Sequence, residues 1–140
     1  MKTAVDTSVL LDVFAGDAAF GPGSREALRR AYNSGSLVAS DIVWSEVRAH
    51  FASDGPFAAA MDSLGIQYLS VSEEAARLAG SYWRRYHQGR SRSRRGADAQ
   101  KRMIADFLIA AHAQVQAEAL LARDRGFFRS YFKELRLIQP

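Results

Sequence analysis

The chain reads as an α/β domain of three layers, α/β/α, with a mainly parallel central sheet flanked by helices. Two observations predict it. Short apolar runs at Thr3–Val5, Leu37–Ala39, Ile66–Val71 and Leu120–Ala122 alternate with stretches whose apolar residues recur at helical spacing, and alternation of this kind folds into a parallel sheet with helices on its faces. Each run also ends on polar residues that start a helix or turn. At 140 residues the chain is expected to form one domain, 1–140, able to bury about two thirds of its unfolded surface.

The first strand ends abruptly at Asp6, and Thr7 and Ser8 follow before the apolar run Val9–Leu11. Either hydroxyl can cap the coming helix, which leaves Asp6 at the carboxyl end of its strand, the edge where open α/β sheets bind ligands. Ser24–Asn33 has helical spacing at Ala27, Leu28, Ala31 and Tyr32, with Ser24 as its expected cap and Gly35 as its stop. After the strand Leu37–Ala39, Ser40 and Asp41 offer a cap to a helix that carries Glu46 among Ile42, Val43, Trp44 and Val47, an apolar setting for a carboxylate. Phe57–Leu64 predicts a short helix closed by Gly65, and Ile66–Val71 a strand. From Ser72 a long helix is expected, with Ala75, Leu78, Ala79, Tyr82, Trp83 and Tyr86 on one face.

Positive charge is concentrated in the next stretch. Arg84, Arg85, Arg90, Arg92, Arg94, Arg95, Lys101 and Arg102 lie against the single acid Asp98. Gly89 to Gly96 is rich in Gly, Ser and Arg and predicts a mobile loop between two helices. With a net charge of +4 and a pI near 9.8, the chain suits a polyanionic partner, and Arg90, Arg92, Arg94, Arg95, Lys101 and Arg102 are the candidate contacts to RNA phosphates. A solvated charge run is the plainer use of the same residues.

Met103–Ala119 has apolar residues on more than one face and is expected to be a buried helix. Its Asp106 lies in the first turn, where the helix dipole favours a negative charge, yet a carboxylate against a core is costly unless paired or metal-bound. Leu120–Ala122 then repeats the pattern of the first strand, with Arg123 and Asp124 at its end. Phe127, Phe128, Tyr131 and Phe132 read as packing, and Leu135–Ile138 as a final edge strand.

Four acids thus stand apart: Asp6, Glu46, Asp106 and Asp124. Two follow strands and two occupy early helical positions, places that gather at one edge of a parallel sheet. Carboxylates held together repel unless a cation neutralises them, and oxygen ligands without His or Cys select Mg²⁺ or Mn²⁺. Such an ion can activate water and stabilise the leaving oxygen of a phosphodiester. Each acid also has an ordinary structural use: Asp6 as a cap, Glu46 as an ion-pair partner of Arg48 or Arg102, Asp106 on the helix dipole, Asp124 as a turn residue before Gly126.

Several classes are disfavoured. The chain has no cysteine, so no disulfide and no Cys-based zinc site is possible, which fits a cytoplasmic protein. Asp6 and Asp12 interrupt any leader-like apolar core, and no apolar run approaches the roughly 20 residues of a membrane span. His50, His87 and His112 lack metal-ligand spacing, and no DxDxT run follows the first strand, which argues against a phosphoryl-accepting domain.

VDTSVLLD at Val5 to Asp12, SEV at Ser45 to Val47, ADFLIAAHA at Ala105 to Ala113 and LLARDRGFFRSYF at Leu120 to Phe132 resemble the successive motifs of PIN-domain ribonucleases, in particular the VapC toxins of bacterial toxin–antitoxin pairs. The resemblance runs the whole chain in the right order. It implies a single PIN domain that cleaves RNA, whether tRNA, rRNA or mRNA, with Mg²⁺ or Mn²⁺, forms a homodimer, and is neutralised by a small cognate antitoxin. By the same resemblance Asp6, Glu46, Asp106 and Asp124 fall on the metal-binding positions and Ser8 on the hydroxyl position beside the metal. Asp6 and Asp106 would be the principal ligands, Glu46 and Asp124 would complete the pocket and orient the water, and Ser8 would hydrogen-bond a ligand or substrate oxygen. Gly126 departs from relatives that carry another acid there. The alternative is a non-catalytic RNA-binding module that uses the basic 84–102 stretch, with the acids structural.

Overall fold

The structure, a computed structural model, describes residues 1–92, 103–124 and 126–140, without the side chains of 90–92. Its elements in order are β1 (Lys2–Val5), α1 (Thr7–Phe14), α2 (Gly21–Asn33), β2 (Ser36–Ala39), α3 (Asp41–Arg48), α4 (Asp54–Ser63), β3 (Ile66–Tyr68), α5 (Glu73–Arg92), α6 (Ile104–Gln116), β4 (Ala119–Leu121), α7 (Phe127–Tyr131) and β5 (Leu137–Ile138). The strands form one sheet in the order β3-β2-β1-β4-β5 with every pairing parallel. Helices cover both faces, giving the three layers expected from the alternation.

Strand order matters more to function than any single element. From β1 the chain first steps outward through β2 to β3, then returns to β4 on the other side of β1 and ends at the edge strand β5. The β1–β4 junction is therefore where the winding reverses, and the crevice beyond the carboxyl ends of such a pair is where α/β sheets place ligands. Val5 is in register with Leu121, and the Asp6 N–H donates to the Leu121 carbonyl at 3.0 Å. Asp6 and the Arg123–Asp124 pair are thus delivered to the same end of adjacent strands.

The core fills the space between sheet and helices. Ala4, Val5, Leu37, Val38, Leu120 and Leu121 are buried on the strands, and Phe107, Ile109, Ala110, Ala111 and Ala113 on α6. The expectation of a buried α6 is met. His112 is buried there too, and its Nε2–H donates to the Leu69 carbonyl at 2.7 Å. Because a carbonyl only accepts, Nε2 must carry the proton.

Several sequence-based boundaries shift, each for a local reason. Ser24 does not cap α2, which begins at Gly21 with Pro22 in its first turn, a position that suits proline because it needs no N–H there. Ser24 is buried inside the helix and donates instead to Asp12 Oδ2 at 2.8 Å. The strand expected over Ile66–Val71 ends at Tyr68, after which the Val71 and Ser72 N–H groups bond to the side chains of Asp41 and Gln116. Ser72 does cap α5, its Oγ accepting from the Ala75 N–H at 3.1 Å. That helix runs on through Arg92, so residues 89–92 of the expected loop are helical. Arg is a good helix former, and the propensity of Arg90 and Arg92 outweighs that of Gly89 and Ser91. The rest of that loop lies outside the described residues. Phe127–Tyr131, read as packing, also forms a short helix.

Candidate active site

Asp6 occupies the N-cap position of α1 with extended backbone, φ −79° and ψ 153°, but its side chain makes no cap bond. The expectation that Thr7 or Ser8 caps α1 is not met either. Both residues lie inside the helix, and their hydroxyls donate to acids: Thr7 Oγ1 to Glu46 Oε1 at 2.8 Å, Ser8 Oγ to Asp6 Oδ2 at 2.7 Å. The two side chains that look like caps in the sequence hold carboxylates in place.

Glu46 arrives from α3, whose start is capped by Ser40 accepting from the Val43 N–H. The apolar setting expected for its carboxylate is not found. Val43 and Val47 lie one helical turn apart and share the buried face, which turns Glu46 outward, and it is exposed. Arg48, offered by the sequence as its ion-pair partner, bonds instead to Asp54 at 2.7 Å. Asp106, at the third position of α6, accepts from the Met103 N–H at 3.0 Å and so also closes the start of its helix.

Asp124 follows β4 as Asp6 follows β1, but both of its oxygens are engaged. Oδ1 accepts from the Phe128 N–H at 3.1 Å and Oδ2 from the Arg129 N–H at 3.3 Å, which anchors the first turn of α7. Gly126 stands at φ +113°, a conformation that strains any residue with a Cβ.

Asp6, Ser8, Glu46, Asp106 and Asp124 all line one cleft of about 820 Å³, together with Thr7, Phe20 and Arg123. Electrostatics in it are uneven. Burial pushes the Asp6 carboxyl above its ordinary 3.8, and the negative charges of Asp106 and Glu46 push the same way, against the Ser8 hydroxyl and the Thr7 N–H. Asp6 is therefore the carboxylate that most needs a cation. Among the described residues, no three acids or histidines are drawn into a ready-made ligand cage. The donor set is nonetheless all oxygen, the chemistry that hard divalent ions take.

Of the basic residues predicted to touch RNA, Arg90 and Arg92 belong to the last turn of α5, while Arg94, Arg95, Lys101 and Arg102 lie outside the described residues. Sequence reasoning missed a further set. Asp12, Phe20, Ser24 and Arg123 form a second constellation at the cleft: Arg123 Nη2 donates to Asp12 Oδ1 at 2.9 Å and its guanidinium covers the Phe20 ring. The available signal was an acid on the buried face of α1 and an arginine at the end of a strand, each with no local partner.

Comparison with known proteins now decides the family. The family model described as the PIN domain matches residues 3–133. The chain belongs to the PIN-domain family. No curated protein sequence matches it. Solved structures similar to this PIN domain include VapBC2 from Rickettsia felis bound to a DNA fragment from its promoter, at 14% identity and TM-score 0.72, with 99% of this chain and 98% of that one covered. VapBC-1 from nontypeable Haemophilus influenzae gives 15% identity and TM-score 0.66 over 99% and 98%. The sarcin–ricin-loop-cleaving toxin VapC20 of Mycobacterium tuberculosis gives 17% identity and TM-score 0.62 over 96% and 98%. At these identities the likeness is one of fold. No helix among the described residues of this PIN domain is long and apolar enough to cross a membrane.

Proposed function

We propose that this PIN domain is a Mg²⁺- or Mn²⁺-dependent endoribonuclease, the toxin of a toxin–antitoxin pair, hydrolysing RNA phosphodiester bonds in the cleft at the β1–β4 junction. One observation carries the reading: Asp6, at the strand-order reversal, is raised above its ordinary pKa by burial and by two further carboxylates in the same cleft. Such a group is stabilised by a bound cation, and a cleft that gathers one suits a phosphate.

In this reading Asp6, Asp106 and Glu46 hold the ion, with Asp124 at the margin because α7 already engages both its oxygens. The ion supplies activation of water and neutralisation of charge on the phosphodiester. The chain's own residues do the positioning. Ser8 fixes the orientation of Asp6, and Thr7 fixes Glu46, an exposed side chain that would otherwise sample many rotamers. No side chain is required as a nucleophile. The basic residues from Arg84 to Arg102 supply the attraction for a polyanion that an acidic cleft lacks. The reading includes a cognate antitoxin, supported by the VapBC complexes among the structural neighbours, together with a homodimer and a cytoplasmic setting.

The reading is tested by metal-dependent cleavage of tRNA, rRNA and mRNA, with Asp6→Asn as control. Activity retained in a folded Asp6→Asn protein sinks it. The second reading, a non-catalytic RNA-binding module, is favoured by one feature: Asp106 and Asp124 both bond to helix-start N–H groups, ordinary structural work. EDTA separates the two, stopping turnover in the first and leaving RNA binding unaltered in the second.

A further inference from the structure

Arg123 is held in an unusual way for a residue at the rim of a cleft. Its Nη2 donates to Asp12 Oδ1 at 2.9 Å, and Asp12 Oδ2 accepts from Ser24 Oγ at 2.8 Å. Asp12 is 5% exposed and Ser24 fully buried. The guanidinium plane also lies over the Phe20 ring, its Cζ 4.1 Å from the centroid. A planar cation is thus fixed at one edge by a buried carboxylate and on one face by an aromatic ring. The acids that would hold an ion need none of this.

Phe20 is 47% exposed, one of few large apolar side chains left open to solvent among the described residues. Ala19 and Gly23 line the cleft beside it. An aromatic ring joined to a fixed guanidinium matches the chemistry of single-stranded nucleic acid, which offers a flat base for stacking and a phosphate for charge. A duplex keeps its base faces covered and offers only the phosphate.

We propose that Phe20 and Arg123 form a seat for one unpaired RNA nucleotide next to the scissile phosphate, with its base against Phe20 and its phosphate on Arg123, and with Asp12 and Ser24 as positioning residues. The seat rests on the ribonuclease reading, and it names the side chains that would hold the base and the phosphate beside the cut.

The test is fluorescence anisotropy of a labelled single-stranded oligouridylate, and of the same backbone with abasic residues, in Ca²⁺ to hold the site without turnover. The full chain should bind the base-bearing strand about tenfold tighter than the abasic one, the size of one base–aromatic stack. Phe20→Tyr should keep that difference and Phe20→Leu should abolish it, with melting curves to show that both exposed-site variants fold. A wild-type protein blind to the abasic change, or a Phe20→Leu protein that still senses it, overturns the seat. Cleavage of total RNA in Mg²⁺ is followed in parallel. Cleavage with no Phe20 effect on binding removes the seat alone, whereas absence of both cleavage and binding removes the ribonuclease reading and the seat with it.

Discussion

Asp6 and Asp12 bracket α1, one at its cap and one near its end, and their surroundings are opposite. Around Asp6 the neighbouring charges are negative, so its carboxyl is raised by burial and by Asp106 and Glu46. Asp12 is more deeply buried yet is met by Arg123 and by the Ser24 hydroxyl. A buried carboxylate with a cation and a hydrogen bond of its own is structurally complete, while one crowded by other acids is stable only if something positive is brought to it. Two aspartates on one helix thus carry different work, one awaiting a ligand and one holding a wall.

The largest expected effect comes from removing the Asp6 charge. Asp6→Asn should drop metal-dependent RNA cleavage to background, and it should raise the melting temperature of the metal-free protein. The sign follows from the direction of the shift. With the folded pKa above the ordinary 3.8, the native state is penalised wherever the group is ionised, so stability falls as pH rises from about 3.8 through the folded pKa. The asparagine has no such penalty, and divalent cations should stabilise the wild type but not the variant. A lower melting temperature in metal-free Asp6→Asn would break the contrast with Asp12.

Asp12→Ala should do the reverse, destabilising the fold by about 2–3 kcal/mol in urea unfolding. That is below the ~3–5 kcal/mol of a fully buried pair, because the Arg123 side chain is 35% exposed and partly screened. Replacing Arg123 by Met in the same chain should recover part of the loss, and purely additive effects would show that the pair is not coupled.

Ser8→Ala removes one hydrogen bond to Asp6 and should cost about 1 kcal/mol of stability. Its effect on cleavage should exceed that, measured as a drop in kcat/KM larger than the melting shift accounts for. Equal losses would reduce Ser8 to a structural residue and narrow the difference between the two ends of α1.

The smallest effect concerns His112, on the same helix as Asp106 but turned into the core. Burial holds its pKa below 6.5, against the Leu69 carbonyl bond, so the stability it contributes is lost as pH falls below about 6.5. Asp6 acts in the opposite direction, its contribution falling as pH rises from about 3.8. Comparing wild type with His112→Gln in unfolding at pH 7 and pH 5 should show a smaller acid loss in the variant, which separates the His112 contribution from the opposing one of Asp6.

Much of the fold was legible because the signals are local. The apolar runs of Thr3–Val5 and Leu37–Ala39 and the helical spacing of Ala75, Ala79 and Tyr86 depend only on side-chain periodicity, and the strands and helices appear where that periodicity puts them. The caps were less legible, since a hydroxyl in a first turn can serve the backbone or a distant acid, and at Thr7 and Ser8 acids across the cleft prevailed. Glu46 was misjudged for a related reason. Its sequence neighbours are apolar, but each residue of a helix is rotated about 100° from the last, so Glu46 stands off the face that Val43 and Val47 bury.

The sequence by itself determined the order of strands and helices, the burial of α6, and the placing of Asp6 and Asp124 at strand ends, because each follows from hydrogen bonding and hydrophobic spacing within a few residues. Only the tertiary structure decided which charges meet. The strand order brings β4 beside β1, so Arg123 reaches Asp12 across 111 positions of chain, and Glu46 and Asp106 come close enough to act on Asp6. Electrostatic energy depends on distance in space, and distance in space is set by the winding of the sheet.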